Sequence, residues 1–330
     1  MHSPLLAAEL TIRRATVADR RSLLYLHELG FGGHRSVDQW RWRFVDNPLR
    51  RTQVVGAFAN DGSCVASFSG VPLPCLLDGR RTVVQRAGDA SVHPDLRRGM
   101  AGASILRRTS QAFFAEFGDG SMCAAFGLPV PGLLRTLVRF CRFEVTADVL
   151  VLVRDLAEPD PGTSLATSTG DAIPPDADAL AERWHRDVPS GILRDGRYLD
   201  WRYRSNPEQR YAIVTARGPD GALRGLAVLR MAPVEGHALA IAEWIVPDDD
   251  GDAQRALLHA AVQCARRHGH TSLALAAPTW SETFRRCQGD HRFQVRPTQH
   301  RIGFRPWSSR ANQPFLAQNW HFSLGDIDWI

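Results

Sequence analysis

The sequence contains no lysine, so all 40 basic residues are arginine. Positive charge is therefore always delivered as a planar, permanently charged fork, and a single arginine is a weak clue to a site. Dense basic runs are also missing, and with 35 acidic residues the net charge is only +5. That argues against nucleic acid as a partner. None of the six cysteines is spaced as Cys-x-x-Cys. They read as reduced structural thiols in the cytoplasm, and no metal is expected. No apolar run approaches the ~20 residues that cross a bilayer. The N-terminal stretch has no positive segment ahead of an apolar one, so neither membrane insertion nor a secretory leader is expected.

What is present suffices for folded cores: 44% of residues are hydrophobic and 23% charged over 330 residues, a length that suggests two domains. One stretch stands out, from Gly88 to Phe117. It reads as a short strand (Asp89 to Val92), a turn at His93-Pro94, a basic glycine-containing loop, and an amphipathic helix. The loop, Arg97-Arg98-Gly99-Met100-Ala101-Gly102, lies where strand hands over to helix. Free N–H groups at a helix start, with arginine forks beside them, form the chemistry of a diphosphate site.

Ahead of this stretch, Leu10 to Arg13 alternates as a strand, and Thr16-Val17-Ala18-Asp19 opens a helix as a capping box. Strands follow at Gln53 to Ala59, Val65 to Gly70 and Arg81 to Ala87, the first two joined by an Asp61-Gly62 turn. After the helix come a strand over Met122 to Phe126, a helix over Gly132 to Phe143 and closing strands over Glu144 to Val153. The chain then repeats itself. Trp42-Arg43-Phe44-x-x-Asn47-Pro48 recurs as Trp201-Arg202-Tyr203-x-x-Asn206-Pro207, and Asp61-Gly62 recurs at the same offset as Asp220-Gly221. This is a duplicated domain. Between the copies, residues 156–173 are rich in proline, glycine, serine and threonine without periodicity, the composition of a linker. The expected fold class is α/β (α+β), with two tandem domains over residues 8–155 and 174–330. Each would be a mixed, largely antiparallel twisted sheet flanked by helices. The copies differ after their Val-x-Pro-like turns: Pro94 leads into the arginine loop, whereas Pro247 leads into Asp248, Asp249, Asp250 and Asp252. Carboxylates there would repel a diphosphate.

The Gly88–Phe117 stretch resembles the acyl-CoA-binding motif of the GNAT (GCN-five-related N-acetyltransferase) superfamily, in which V-x-P leads into Q/R-x-x-G-x-G/A. Val92-His93-Pro94 fits the strand end. With Arg97 in the first loop position, Gly102 takes the last and Met100 stands where glycine is usual. A second register, with Gly99 and Ala101 in the glycine places, puts Leu96 first and shortens the loop. The first keeps the spacing from Pro94. The resemblance implies acetyl-CoA as co-substrate, held by Val92, Arg97, Arg98, Gly99, Met100, Ala101, Gly102 and Ala103. It implies N-acetyl transfer to a primary amine of a small-molecule or sugar acceptor. The backbone N–H groups of Ser91 and Val92 would polarise the thioester, and Asp89, the only carboxylate on that strand, is the candidate base. The family's Y-x-x-x-G-F falls on Val138 to Phe143, so valine replaces the usual tyrosine acid and the thiolate is expected to leave unassisted. The second copy would then be a degenerate, acceptor-side or structural domain. A non-catalytic acyl-CoA-sensing or partner-binding protein, and a FemABX-like aminoacyl-tRNA-dependent transferase, remain as alternatives.

Overall fold

The computed structural model describes residues 9–97, 99–118, 120–234 and 237–327. Its elements begin with β1 (Thr11–Arg14), α1 (Arg20–Phe31), α2 (Val37–Phe44), β2 (Gln53–Phe58), β3 (Cys64–Leu77) and β4 (Arg80–Val92). Then come α3 (Gly99–Phe117), β5 (Ala124–Gly127), α4 (Pro131–Cys141) and β6 (Glu144–Asp155). The remainder is β7 (Ala166–Gly170), α5 (Ala177–Trp184), β8 (Gly191–Ile192), α6 (Gly196–Leu199), β9 (Tyr211–Arg217), β10 (Leu223–Val234), β11 (Ala238–Ile245), α7 (Gly251–Arg267), β12 (Ser272–Ala276), α8 (Glu282–Gly289), β13 (Gln294–Pro306) and α9 (Gln313–Asn319). α6 runs on into a π-helical turn over Asp200–Arg204.

Local chemistry sets the boundaries of these elements. The Thr16–Asp19 capping box forms as expected, with Asp19 also held by Arg13 at 2.8 Å. α1 runs past Gly30 and stops at Gly32, whose φ of +72° is a glycine conformation. Ser36 caps α2 by accepting from the Gln39 N–H, and Asp195 caps α6 by accepting from Tyr198. Downstream, Asn47 receives the Arg51 N–H and donates to the Arg51 carbonyl, closing the turn after α2. The aromatic Trp-Arg repeat is thus a short capped helix in each copy.

Two compact units result, and they are interleaved in sequence. The first comprises Met1–Pro74, Thr82–Ala147 and His300–Pro314; the second comprises Cys75–Arg81, Asp148–Gln299 and Phe315–Ile330. In the first unit the strand order is β1-β2-β3-β4-β5, followed by the end of β13. In the second it is β7-β9-β10-β11-β12-β6. Each unit has the same plan, with one parallel pair, β4–β5 or β11–β12. The first core sets Phe113, Phe114 and Phe117 of α3 on Phe68 of β3 and Phe143. The second packs the small-residue face of α7 (Ala253, Ala256, Leu257, Ala260, Ala261) on Val214, Ala227 and Leu239. Large rings fill the space under α3, whereas small side chains make up most of the buried face of α7.

Three expectations are corrected. The strand expected over Arg81–Ala87 and the one over Asp89–Val92 are one strand, β4, kinked at Asp89, whose φ is +49°. Aspartate tolerates that left-handed conformation better than most residues. The segment 156–173 is no free linker. Asp160 accepts from Gln263 and pairs with His259, both at 2.7 Å, and β7 pairs along β9. An edge strand needs only backbone partners on one side, so its exposed Ala-Thr-Ser-Thr-Gly sequence carries no apolar signature. Finally, the last strands are exchanged. Val151–Asp155 of β6 pairs antiparallel with β12, whereas Gly303–Pro306 of β13 closes the first unit on β5. The boundaries expected at 155 and 174 therefore do not separate the two units.

Candidate active site

β4 and β5 are in parallel register only from Val84/Ala124 to Arg86/Phe126. β5 ends at Gly127, but β4 continues to Val92. The last residues of β4 thus lie beyond the ladder with β5, and the chain then turns through Pro94–Leu96 into α3. Gly102 shows how tightly this turn is wound. A Cβ there would lie 2.0 Å from the Leu96 carbonyl oxygen, so only glycine lets the first turn of α3 pass under residue 96. Val92 and Leu96 anchor the turn in an apolar cluster with Val65, Ala66 and Ile105.

Beside this strand end is a small cleft, open to solvent and lined by α1, α2 and the sheet. Leu23, Leu24, Phe31, Trp40, Phe44 and Val54 make its apolar wall. Ser67, Ser69, Ser91, His27, Arg35 and Asp89 make its polar part. Arg35 Nη1 donates to Asp89 Oδ2 at 2.5 Å, and Arg43 Nε lies 3.5 Å from the same oxygen. Both arginine side chains are 9% exposed and Asp89 is 15% exposed. Burial, followed by the positive charge of Arg35, pushes His27 down to about 4. His27 is therefore neutral near pH 7, and Asp89, a carboxylate of the lining, is approached both by Arg35 of the lining and by Arg43, which does not line the cleft.

Residues 11–130 match the model of the acetyltransferase (GNAT) domain family. That match runs from β1 through β5, so the likeness to the family lies chiefly in the first unit. Solved structures of similar fold span almost the whole chain. A GCN5-related N-acetyltransferase from Kribbella flavida is 16% identical, with a TM-score of 0.65 over 92% of this chain and 72% of that one. A conserved protein of unknown function from Enterococcus faecalis, a probable N-acyltransferase, is 12% identical, with a TM-score of 0.66 over 91% and 72%. N-myristoyltransferase from Saccharomyces cerevisiae, solved with bound myristoyl-CoA and inhibitors, is 12% identical, with a TM-score of 0.58 over 92% and 81%. At such identities the likeness is one of fold. No curated protein matches the chain.

The residues expected in the GNAT site fall into three groups. Asp89 and Ser91 line the cleft, and Ser91 Oγ donates to the Leu26 carbonyl at 3.4 Å. Val92 is buried, and its carbonyl receives Arg97 Nε at 2.8 Å. Arg97 also donates through Nη2 to the Gly30 carbonyl at 2.9 Å. Two of its donors thus clamp the end of α1 to the end of β4. Gly30 suits this closeness, since a Cβ there would lie 2.1 Å from Ser91 Oγ. Gly102 is buried and Ala103 exposed at the start of α3. Arg98 lies outside the described residues, as do the side chains of Gly99, Met100 and Ala101, although the α3 backbone begins at Gly99. Val138 is 44% exposed on α4 and does not line the cleft.

Sequence reasoning missed Arg35, His27 and the role of Arg43. The signal for Arg35 was available. The offset of 159 that relates Trp42 to Trp201 also relates Arg35 to Arg194 and the caps Ser36 and Asp195. In the second unit Arg194 Nε lies 3.0 Å from Glu243 Oε1. Asp89 and Glu243 each stand five residues past the first parallel pair of their strand, Val84 or Ala238. The arginine–carboxylate pair is therefore part of the duplicated design.

The second unit closes the corresponding space with its own chain. Leu324–Asp326 forms a buried turn whose Asp326 Oδ2 receives Arg194 Nη2 at 2.6 Å, while the Gly325 carbonyl receives Arg202 Nε at 3.0 Å. Tyr203, which stands where the first copy has Phe44, donates to Glu243 Oε1 at 2.6 Å. Burial would lower the Arg194 pKa, but Asp326 and Glu243 more than reverse it, so the guanidinium stays charged. The N-terminus of α7 is likewise taken: Asp250 accepts from the Ala253 N–H at 2.9 Å and pairs with Arg224 at 2.6 Å. Asp248 beside it is pushed up to about 6, by burial and then by Asp187. Among the described residues no cluster of metal-ligating side chains occurs.

Proposed function

We propose that the first unit is an acyl-CoA-dependent N-acyltransferase that moves an acetyl group from acetyl-CoA to a primary amine. The observation that carries this reading is the parting of β4 from β5 immediately before the tight turn into α3, inside the segment that matches the GNAT family. The backbone fits an acyl-CoA. Free N–H groups of the first turn of α3 suit a diphosphate, and the unladdered edge of β4 at Ser91 and Val92 suits a thioester carbonyl. Arg97 contributes by fixing that edge, since two of its donors go to backbone carbonyls. In the reaction the amine nitrogen bonds to the acyl carbon, the carbon–sulfur bond breaks, and the thiolate leaves. The amine's proton passes to Asp89, directly or through water, by a lone pair not engaged with Arg35.

Calorimetry with the full chain should give acetyl-CoA binding at one site, and thiol release should follow when a primary amine is added. With Val138 in the place of the family's usual tyrosine acid, kcat/KM should rise to a plateau with pH and show no falling limb between about pH 8 and 10. Asp89→Asn should lower kcat/KM by about 100-fold or more if Asp89 takes the proton. A folded chain that neither binds acetyl-CoA nor releases thiol would overturn the reading.

A further inference from the structure

The two units carry the same buried arginine, but only one of them surrounds it with enough negative charge. Arg194 is 0% exposed and sits between Glu243 and Asp326. Asp326 is delivered by the tail, which fills the space the first unit leaves as a cleft. Arg35 has the matching partner from the strand, Asp89, which Arg43 also approaches, but among the described residues it has no counterpart of Asp326. Its side chain is nine-tenths buried and lines the cleft. A buried guanidinium with a single, shared carboxylate is under-matched, and a second carboxylate is the group that fits its fork. The second unit supplies that carboxylate from within the chain. In the first, the space is open to solvent, so a ligand can supply it.

We infer that the cleft of the first unit takes an amine acceptor that also carries a carboxylate, which pairs with Arg35 as Asp326 pairs with Arg194. The inference deepens the acyltransferase reading and rests on it for the word acceptor, although not for binding. The wall of Leu23, Leu24, Phe31, Trp40, Phe44 and Val54 selects an apolar body between the two polar groups. The class is therefore a small amino acid with an apolar side chain. An amine without a carboxylate would bring its own positive charge beside Arg35 and Arg43, which already share one carboxylate. It would give Arg35 no second carboxylate and should be rejected on both grounds.

The test compares L-phenylalanine with L-phenylalanine amide and phenethylamine, which share its ring and amine but lack its charge. Binding is measured by calorimetry without acetyl-CoA, and turnover by thiol release with it. We expect the acid to be favoured by about 100-fold in kcat/KM. Arg35→Gln should bring the three compounds to within a few-fold of one another, and Arg35→Lys should restore part of the preference. Because Arg35→Gln also loosens Asp89, Leu24→Trp serves as a second variant. It narrows the apolar wall without touching an ion pair, and should weaken the acid and leave acetyl-CoA binding intact. Turnover of all three compounds at similar rates would sink the inference and leave the acyltransferase reading standing. Selective binding of the acid with no thiol release would do the reverse.

Discussion

The first and second units share a sheet order, a parted parallel pair, a capped Trp-Arg helix and a buried arginine–carboxylate contact. They differ in what occupies the space those parts enclose. In the second unit a turn of the chain's own tail fills it and brings a carboxylate, while Tyr203 adds a hydroxyl that Phe44 lacks. Just past the C-terminal end of the same strand, Asp250 caps α7 by accepting from the Ala253 N–H, one of the donors a diphosphate would need. Both changes put a carboxylate of the chain itself where the proposed reading has the first unit take an anion from outside. The second copy thus shows, in its own residues, the chemistry that a ligand would have to bring to the first. Filling also changes energetics, since a fully enclosed charge must be matched by partners, whereas a charge beside an open cleft keeps access to water.

The largest expected effect probes that last point. Arg194→Ala leaves Glu243 and Asp326 enclosed without their common cation and should destabilise the chain by about 3–5 kcal/mol in urea unfolding. Arg35→Ala leaves only Asp89, which water can reach through the cleft, and should cost less than about 2 kcal/mol. Its main effect should fall on turnover. If Arg35→Ala proves the costlier of the two, the contrast between an open and a filled site is wrong.

Acid should separate the units next. Burial lowers the pKa of His185 to about 4 and holds His321 well below, and His291 below, the usual histidine range, all in the second unit. Among the described residues the first unit has one such histidine, His27, at about 4. A histidine held neutral in the fold binds its proton more readily when unfolded. Stability from this source is therefore complete above about pH 6.5 and declines as the pH falls towards 4, by roughly 3 kcal/mol for His185 alone at ~1.4 kcal/mol per pH unit. Hydrogen exchange at pH 7.5 and 5 should show α5 and β11 losing more protection than α1 and β2. His321→Phe should reduce the difference, and equal losses in both units would contradict it.

How much of this could be read from the sequence depended on how local each signal was. The Thr16–Asp19 box, the Asp61-Gly62 turn, the α3 helix and the Trp-Arg duplication are set by residues a few positions apart, and all of them form. The linker composition misled because an edge strand draws its partners from the backbone of β9, which leaves no mark on its own side chains. The exchange of β6 and β13 was hidden for a related reason. β6 is more than half apolar and β13 mostly polar, and nothing in either names the sheet it joins. Arg35 was lost among 40 arginines, although its repeat at Arg194 was in register seven residues ahead of the tryptophans. The partner that explains it, Asp326, is 132 residues from Arg194 along the chain, beyond any reading by spacing.

The smallest effect concerns the two helix starts. Asp250 accepts from the Ala253 N–H and holds Arg224 through both carboxylate oxygens, at 2.6 and 2.8 Å, on a partly exposed surface. Asp250→Ala removes a helix cap and a solvent-screened ion pair, so it should lower stability by only about 1–2 kcal/mol, read as a small fall in Tm. It also uncovers the first N–H groups of α7, the one feature that could let the second unit hold a diphosphate. Asp248, Asp249 and Asp252 stay in place around them, so calorimetry of the variant should still show a single acetyl-CoA site, unchanged in affinity. A second site in Asp250→Ala would mean that one carboxylate alone separates the copies. A weakened first site would mean that acetyl-CoA had been bound at α7, and that the arginine loop ahead of α3 is only a turn.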